Sequence, residues 1–211
     1  MARRRTVGLF SFWVIFAPAS TGGRGHICED VTENADANLV AAALRGDAES
    51  FSRLCEQHYP ALVAIAYSRL AERHLAEDAA QEALLAAYRD IVKLKQPEQF
   101  AAWLAAICRN IATDMAKARA REKRVETVDC GPELRTSRVE YDTVAVVREI
   151  LFGLEPDMRD IVFLRYYRQM TYEQIARTLG ISEEAVNGKL RRARAKTRRE
   201  LQRRRSMEAE S

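Results

Sequence analysis

Between Lys189 and Arg205, ten of seventeen residues are lysine or arginine and only Glu200 opposes them, a local charge of +9 in a chain whose total is +4. Just before this run, Thr171 and Gln174 have capping-box spacing, Ile175, Ala176 and Leu179 recur at helical intervals, and Gly180 can end that helix in the left-handed conformation. Ser182 can cap the next helix at once. Two helices joined by so few residues must cross steeply, and Val186, Leu190 and Ala193 give the second an inward face, so the pattern predicts a helix-turn-helix. Glu184, Asn187, Arg191, Arg194 and Arg198 then share the outward face, which can enter a DNA major groove and continue along phosphates. Arginine suits both contacts, pairing with guanine through two hydrogen bonds and neutralising phosphate elsewhere. A solvated helix end meeting the helix dipole accounts for one or two such cations, not for ten.

Two further groups of residues could do chemistry or binding. Asp78, Gln81, Glu82 and Arg89 share the solvent side of a helix predicted from about Glu77 to Val92, whose core side is Ala80, Ala83, Leu84, Ala87 and Ile91. Asp78 and Glu82 could be imagined as paired metal ligands, but the Glu-x-x-His partners of a helical-bundle metal site are missing, as are HExxH and a phosphate-binding glycine loop. Cys28, Cys55, Cys108 and Cys130 lie far apart with no CxxC pair and only three histidines. No pattern calls for a metal or a cofactor. The acid face reads as a dock for a basic partner or as a plain solvated surface. The next helix, opened by Pro97, carries a core stripe of Phe100, Leu104, Ile107, Ile111 and Met115 and a second stripe of Trp103, Asn110, Asp114, Lys117 and Arg121. Asn110 with Lys117, Arg119 and Arg121 places hydrogen-bonding capacity beside positive charge.

The elements that must position these residues are all helical. From Asn38 to about Glu126 apolar residues recur at helical spacing and no alternating run argues a strand. A short helix over Leu39–Arg45 should end at Gly46, and Asp47 should cap a longer one burying Phe51, Leu54, Cys55, Leu62, Ile65 and Ala66. Pro60 inside it predicts a kink or a break. Gly131, Pro132 and scattered polar residues mark 127–140 as a flexible linker. Beyond it Val144, Val147, Leu151 and Leu154 mark one helix, and Pro156 opens another that buries Met158, Ile161, Val162 and Leu164. The fold class is therefore all-α, with two small helical domains over 36–126 and 141–205, the second a helix-turn-helix.

Composition sets limits consistent with this. At 211 residues, 47% hydrophobic and 30% charged, the chain can bury one or two cores and is too apolar for a disordered tail. No stretch approaches the roughly 20 apolar residues of a spanning helix, so stable membrane insertion is not expected. Glu29–Lys117 carries 14 acids and nine bases. The chain is acidic in front and basic behind, a polarity that suits a basic partner surface for the first domain and a polyanion for the second. Residues 1–30 hold Arg3, Arg4 and Arg5, an apolar run from Val7 to Ala17 and the small-residue stretch Ala17, Pro18, Ala19 and Ser20, the outline of a secretory signal. Pro18 fits a cleavage site poorly, and the rest of the chain reads as an intracellular nucleic-acid binder. The expectation is a translated or disordered extension with Val31 as the physiological start, and a cytoplasmic protein.

Three ordered stretches carry a family resemblance: AEDAAQEALLAAYR (Ala76–Arg89), FAAWLAAICRNIATDMAKARAREKR (Phe100–Arg124) and LEPDMRDIVFLRYYRQMTYEQIARTLGISEEAVNGKLRRARAK (Leu154–Lys196). Together they resemble bacterial RNA polymerase sigma factors of the extracytoplasmic-function group, over about Asn38 to Leu201. The resemblance implies that Asp78, Gln81 and Glu82 dock on a coiled coil of the largest subunit of core RNA polymerase. It implies that the Arg109–Asn110 helix, with Trp103, Lys117, Arg121 and the loop from Lys93 to Gln99, melts the −10 promoter region and holds a flipped base. The second domain would read the −35 element through Asn187, Lys189, Arg191, Arg192 and Arg194. Glu183, Glu184 and Ala185 replace the Gly-Thr turn common in the family, and Gly188 replaces a small polar residue, so the −35 sequence itself is not implied. Members of the family are often held inactive by an anti-sigma factor, and no residue here shows whether one exists. A LuxR-like helix-turn-helix regulator binding DNA as a dimer also fits EQIARTLGISEEAV, although the front half lacks the alternating strands and helices of a sensing domain.

Overall fold

The computed structural model describes residues 29–126 and 141–209, with side chains over 36–122, 146–204, 206 and 207. The N-terminal segment up to residue 28 and the linker at 127–140 lie outside the described residues. Eight α-helices and no strand are present among the described residues.

The first domain contains α1 (Glu29–Leu44), α2 (Ala48–Leu70), α3 (Arg73–Asp90) and α4 (Phe100–Glu126). The turn between α1 and α2 follows the sequence closely. Gly46 takes φ +94°, and the Asp47 carboxylate caps α2 by accepting from the Glu49 amide at 3.2 Å and the Ser50 hydroxyl at 2.5 Å. α1 runs longer than its apolar pattern suggests. Pro60 does not break α2, which is continuous over 23 residues. The carbonyl deprived of an amide partner is that of Glu56, an exposed residue that water can serve, while Leu54, Leu62 and Ile65 bury both halves of the helix in one core.

α3 meets its neighbours through alanines alone among its fully buried residues: Ala76, Ala79, Ala80, Ala83 and Ala87. Short 3₁₀ turns at Ile91–Lys93 and Pro97–Gln99 then lead into α4. The buried line of α4 is Phe100, Leu104, Cys108 and Ala112, joined by Ala101 and Ala105, whereas Ile107, Ile111 and Met115 are only half-buried. The predicted stripe is thus displaced by about one residue, because α4 is covered from two sides: by α2 and α3, and by a helix of the second domain.

That second domain contains α5 (Tyr141–Phe152), α6 (Pro156–Val162), α7 (Tyr172–Leu179) and α8 (Glu183–Ala209), with one π-helical turn, Phe163–Tyr167, extending α6. The capping box closes in both directions, the Gln174 amide donating to Thr171 Oγ1 at 3.1 Å and the Thr171 amide to Gln174 Oε1 at 2.9 Å. Gly180 is left-handed at φ +66°, and the Ser182 hydroxyl accepts from the Ala185 amide at 3.2 Å. Val186, Leu190 and Ala193 are buried against Ile161, Leu164 and Ile175.

The two domains pack on each other, with α6 against α2 and α7 against α4. Tyr67 meets Phe163 edge-on at 5.5 Å, and the buried cluster runs without interruption from Val40 to Ala193.

Candidate functional site

The residues exposed on α8 include Glu183, Glu184, Asn187, Arg191, Arg192, Lys196, Arg198 and Arg199, while Val186, Leu190 and Ala193 turn inward. The amphipathic split expected of a recognition helix is therefore present. Two of the predicted DNA contacts are engaged elsewhere. Lys189 reaches Asp157 of α6 at 3.1 Å and is 25% exposed. Arg194 donates from Nε to the Tyr166 hydroxyl at 2.8 Å with its guanidinium 5.8 Å above that ring. Both tie α8 to the helix behind it and orient the free arginines. Asn187, Arg191 and Arg192 present unshared side chains to solvent among the described contacts. Adding a Cβ to Gly188 would meet nothing within 4 Å, so no contact inside the protein requires glycine there.

On α4, Asn110, Lys117 and Arg121 are exposed. Lys117 pairs with Asp114 at 3.2 Å, one helical turn away, a surface contact that DNA phosphate can displace. Trp103 is half-buried beside Phe100, their rings 6.1 Å apart, so most of its surface serves the core. Arg109 is also half-buried and donates to the Ala105 carbonyl at 3.4 Å. Arg119 is held by Glu72 at 2.5 Å and braces α4 against the turn between α2 and α3. Lys93, Lys95, Gln96 and Gln99 are exposed in the approach to α4, and the Gln99 amide donates to Gln96.

Asp78, Gln81 and Glu82 all face solvent on α3. Apolar groups that sequence reasoning missed continue this stripe: Leu85 is 58% exposed, Tyr88 59% and Val92 75%. Periodicity alone hides them, since they read as spare core residues. The signal available was their position on the Asp78–Glu82 side of the helix. The resulting face has a carboxylate end and an apolar end, a combination that fits a partner helix with basic and aliphatic side chains.

A buried polar cluster joins the two domains. Asp160 on α6 is 1% exposed and receives the Ser68 hydroxyl at 2.5 Å and the Arg69 guanidinium at 2.7 Å, both from α2. Arg69 also donates to Thr113 of α4 at 3.3 Å and lies 4.0 Å from Asp157. Burial pushes the Asp160 carboxyl above its usual range, while Arg69 and the two hydrogen bonds pull the other way. Asp157 is lowered by its hydrogen bond from Lys189. At the domain edge, Arg148 of α5 donates to the Ala71 carbonyl at 2.6 Å.

No group of three or more histidine, cysteine or acidic side chains able to hold a metal ion occurs among the described residues, and no described helix is long and apolar enough to cross a membrane.

Comparison with known proteins matches this geometry to a family. Residues 54–122 match the model of sigma-70 region 2, and residues 145–197 match that of sigma-70 region 4. The two stretches together cover more than half of the chain. "Probable RNA polymerase sigma factor RfaY" of Xanthomonas campestris pv. campestris is 33% identical over 170 residues, 75% of this chain and 42% of that protein. The ECF RNA polymerase sigma factor SigM of Mycobacterium tuberculosis is 29% identical over 170 residues, 80% of this chain and 86% of that one. The chain spans between 42% and 60% of the length of the first three curated relatives it matches. Among solved structures, CnrH in complex with the cytosolic domain of CnrY is similar with a TM-score of 0.56 and 29% identity, covering 80% of this chain and 97% of that one. With region 2 spanning the α3 and α4 faces and region 4 the helix-turn-helix, the chain belongs to the extracytoplasmic-function group of RNA polymerase sigma factors.

Proposed function

We propose that this protein binds core RNA polymerase and directs it to promoters, the polymerase doing all the chemistry. The observation that carries the reading is the pairing on one chain of an exposed acidic and apolar face on α3 with an exposed basic recognition face on α8. In this reading Asp78, Gln81 and Glu82 dock on polymerase. Asn110, Lys117 and Arg121, with Trp103 and Arg109 behind them, handle the melted −10 strand. Asn187, Arg191 and Arg192 read the −35 element, while Lys189 and Arg194 hold the helix that carries them. The working units are 36–126 and 141–205, tethered by 127–140. Each alone grips DNA weakly, and polymerase makes the pair effective by fixing their spacing. The site of action is the cytoplasm. An anti-sigma factor is the second class of partner, by analogy with CnrH, which is solved with another protein's cytosolic domain bound. A LuxR-like dimeric regulator finds no support, because both matched regions are sigma-70 regions in sigma-factor order.

Run-off transcription with purified core polymerase, paired with co-purification, tests the assignment. Arg191→Ala with Arg192→Ala should abolish −35-dependent transcription and leave polymerase retention intact. Asp78→Ala with Glu82→Ala should lose retention while keeping the DNA-facing helices folded. Identical defects in both variants would overturn the division of roles.

A further inference from the structure

Two cavities adjoin where the π-helical turn packs on α2, and neither is lined by a residue assigned to polymerase or promoter. The larger, about 480 Å³, lies within the size range of small-molecule sites, roughly 300–1,000 Å³. Its wall combines three phenol rings, Tyr59, Tyr67 and Tyr167, with the charged groups Arg73, Glu77 and Arg168. The smaller, about 330 Å³, shares Pro60 and Arg168 with it and is otherwise polar, with Gln57, His58, Gln174 and Arg177 in its wall. Locked backbone presents Tyr167 and Arg168 to these spaces. Tyr167 ends the π-helical turn, the Arg168 amide donates to the Phe163 carbonyl at 3.2 Å, and the Met170 amide donates to the Leu164 carbonyl at 3.2 Å. Between them Gln169 is left-handed at φ +56°, and Arg165 Nη1 donates to the Met170 carbonyl at 2.6 Å. Such π-turns and left-handed non-glycine residues cost energy and recur at binding sites.

Most charges around the cavities are already matched. Arg73 pairs with Glu77 at 2.8 Å and Arg177 with Glu173 at 2.5 Å, while Asp36, the carboxylate bordering the smaller cavity, accepts from Gln57 at 2.7 Å. Arg168 is exposed and makes no ion pair or side-chain hydrogen bond among the described contacts, so the unmatched charge where the cavities adjoin is positive. His58 Nε2 stands 3.2 Å from Asp36 Oδ2 yet is buried without a hydrogen-bond partner, a deficit that a polar ligand group can make good. The aromatic wall suits a planar heterocycle, since phenol rings stack on nucleobases, and a free arginine suits phosphate. We propose that the adjoining cavities bind a nucleoside phosphate, its base among Tyr59, Tyr67 and Tyr167 and its phosphate on Arg168. Arg168 opposes an aromatic cation, and a single-ring aromatic acid leaves the polar cavity unfilled.

The test is calorimetric titration of the purified full chain, free of nucleic acid, with GDP and with ADP at physiological ionic strength, which screens loose phosphate contacts. Guanosine, inorganic phosphate and 4-hydroxybenzoate serve as comparison ligands. GDP or ADP should bind at a single site per chain, guanosine about tenfold more weakly or worse, and phosphate alone not at all. Arg168→Ala and Tyr167→Ala should each weaken nucleotide binding by about tenfold or more. Both side chains are exposed and outside the core, so the unfolding midpoint of each variant should stay with that of the parent. Arg191→Ala with Arg192→Ala should leave nucleotide affinity unchanged, because those arginines line neither cavity. Absence of binding at millimolar nucleotide would overturn the site, as would binding that is lost with Arg191 and Arg192 but kept in Arg168→Ala and Tyr167→Ala. Tighter binding of 4-hydroxybenzoate than of either nucleotide would overturn the nucleotide as its ligand. The titration uses neither polymerase nor promoter, so its failure leaves the sigma-factor reading standing.

Discussion

Arg194 shares a helical stripe with Asn187 and Arg191, yet its guanidinium turns back to Tyr166, and no spacing rule separates it from its neighbours. Arginine's length lets it serve either side of a helix, so only the phenol behind it decides. Asp160 was equally hidden. It lies among Met158, Ile161 and Val162, and its partners sit 91 and 92 residues earlier in the chain. Caps were legible because their chemistry is local: Asp47, Thr171, Gly180 and Ser182 all act within four residues of themselves. Cys108 carries a prediction at this scale. Burial pushes its thiol up to about 12, helped by the Asp160 carboxylate and opposed by Arg69 and Arg109. With Cys28, Cys55 and Cys130 replaced by alanine, Cys108 should resist alkylation at pH 8 in the native protein and react once unfolded; native labelling at the rate of a free thiol would contradict the packing. The linked sign is definite. Above about pH 9 the unfolded thiol ionises while the folded one keeps its proton, so this group makes stability fall as pH rises from about 9 towards 12, and Cys108→Ala should remove that slope.

Among the elements, every helix that carries function was visible as an apolar period, while two details were not. Of the kink or break expected at Pro60, the break did not occur, because the core grips α2 on both sides of it and the residue whose carbonyl loses its partner, Glu56, is exposed. The α4 stripe was displaced because a helix of the other domain, invisible to a single-helix wheel, covers its second side. α8 offers an element-scale prediction. Gly188 lies mid-helix with open space around it, and alanine is favoured over glycine by about 1 kcal/mol in such a position. Gly188→Ala should therefore raise the thermal midpoint by a few degrees, measured by circular dichroism. A lower midpoint would mean that the backbone there is not helical.

For the whole molecule, all-α class, two helical units and their order along the chain were readable from apolar period and breaker residues. Their docking was not, because its apolar contacts, such as Tyr67 on Phe163, read as core of either unit alone, while Ser68, Arg69 and Asp160 carry no hydrophobic signature. Assembly with polymerase brings the remaining prediction. Leu85→Ser with Val92→Ser removes exposed apolar groups from α3 and the 3₁₀ turn that follows it, so retention of core polymerase should drop at least tenfold while the unfolding midpoint holds or rises. Unchanged retention would confine the dock to the carboxylate end. The all-alanine underside of α3 has a consequence for how such proteins diverge. With Ala76, Ala79, Ala80, Ala83 and Ala87 already at the smallest chiral side chain, nearly every exchange beneath the helix is an enlargement, and overpacking typically costs about 1–3 kcal/mol. Inherited variation is thereby steered to the outer half of the cylinder, where Asp78 to Val92 can be rewritten one position at a time while pitch and aim stay fixed.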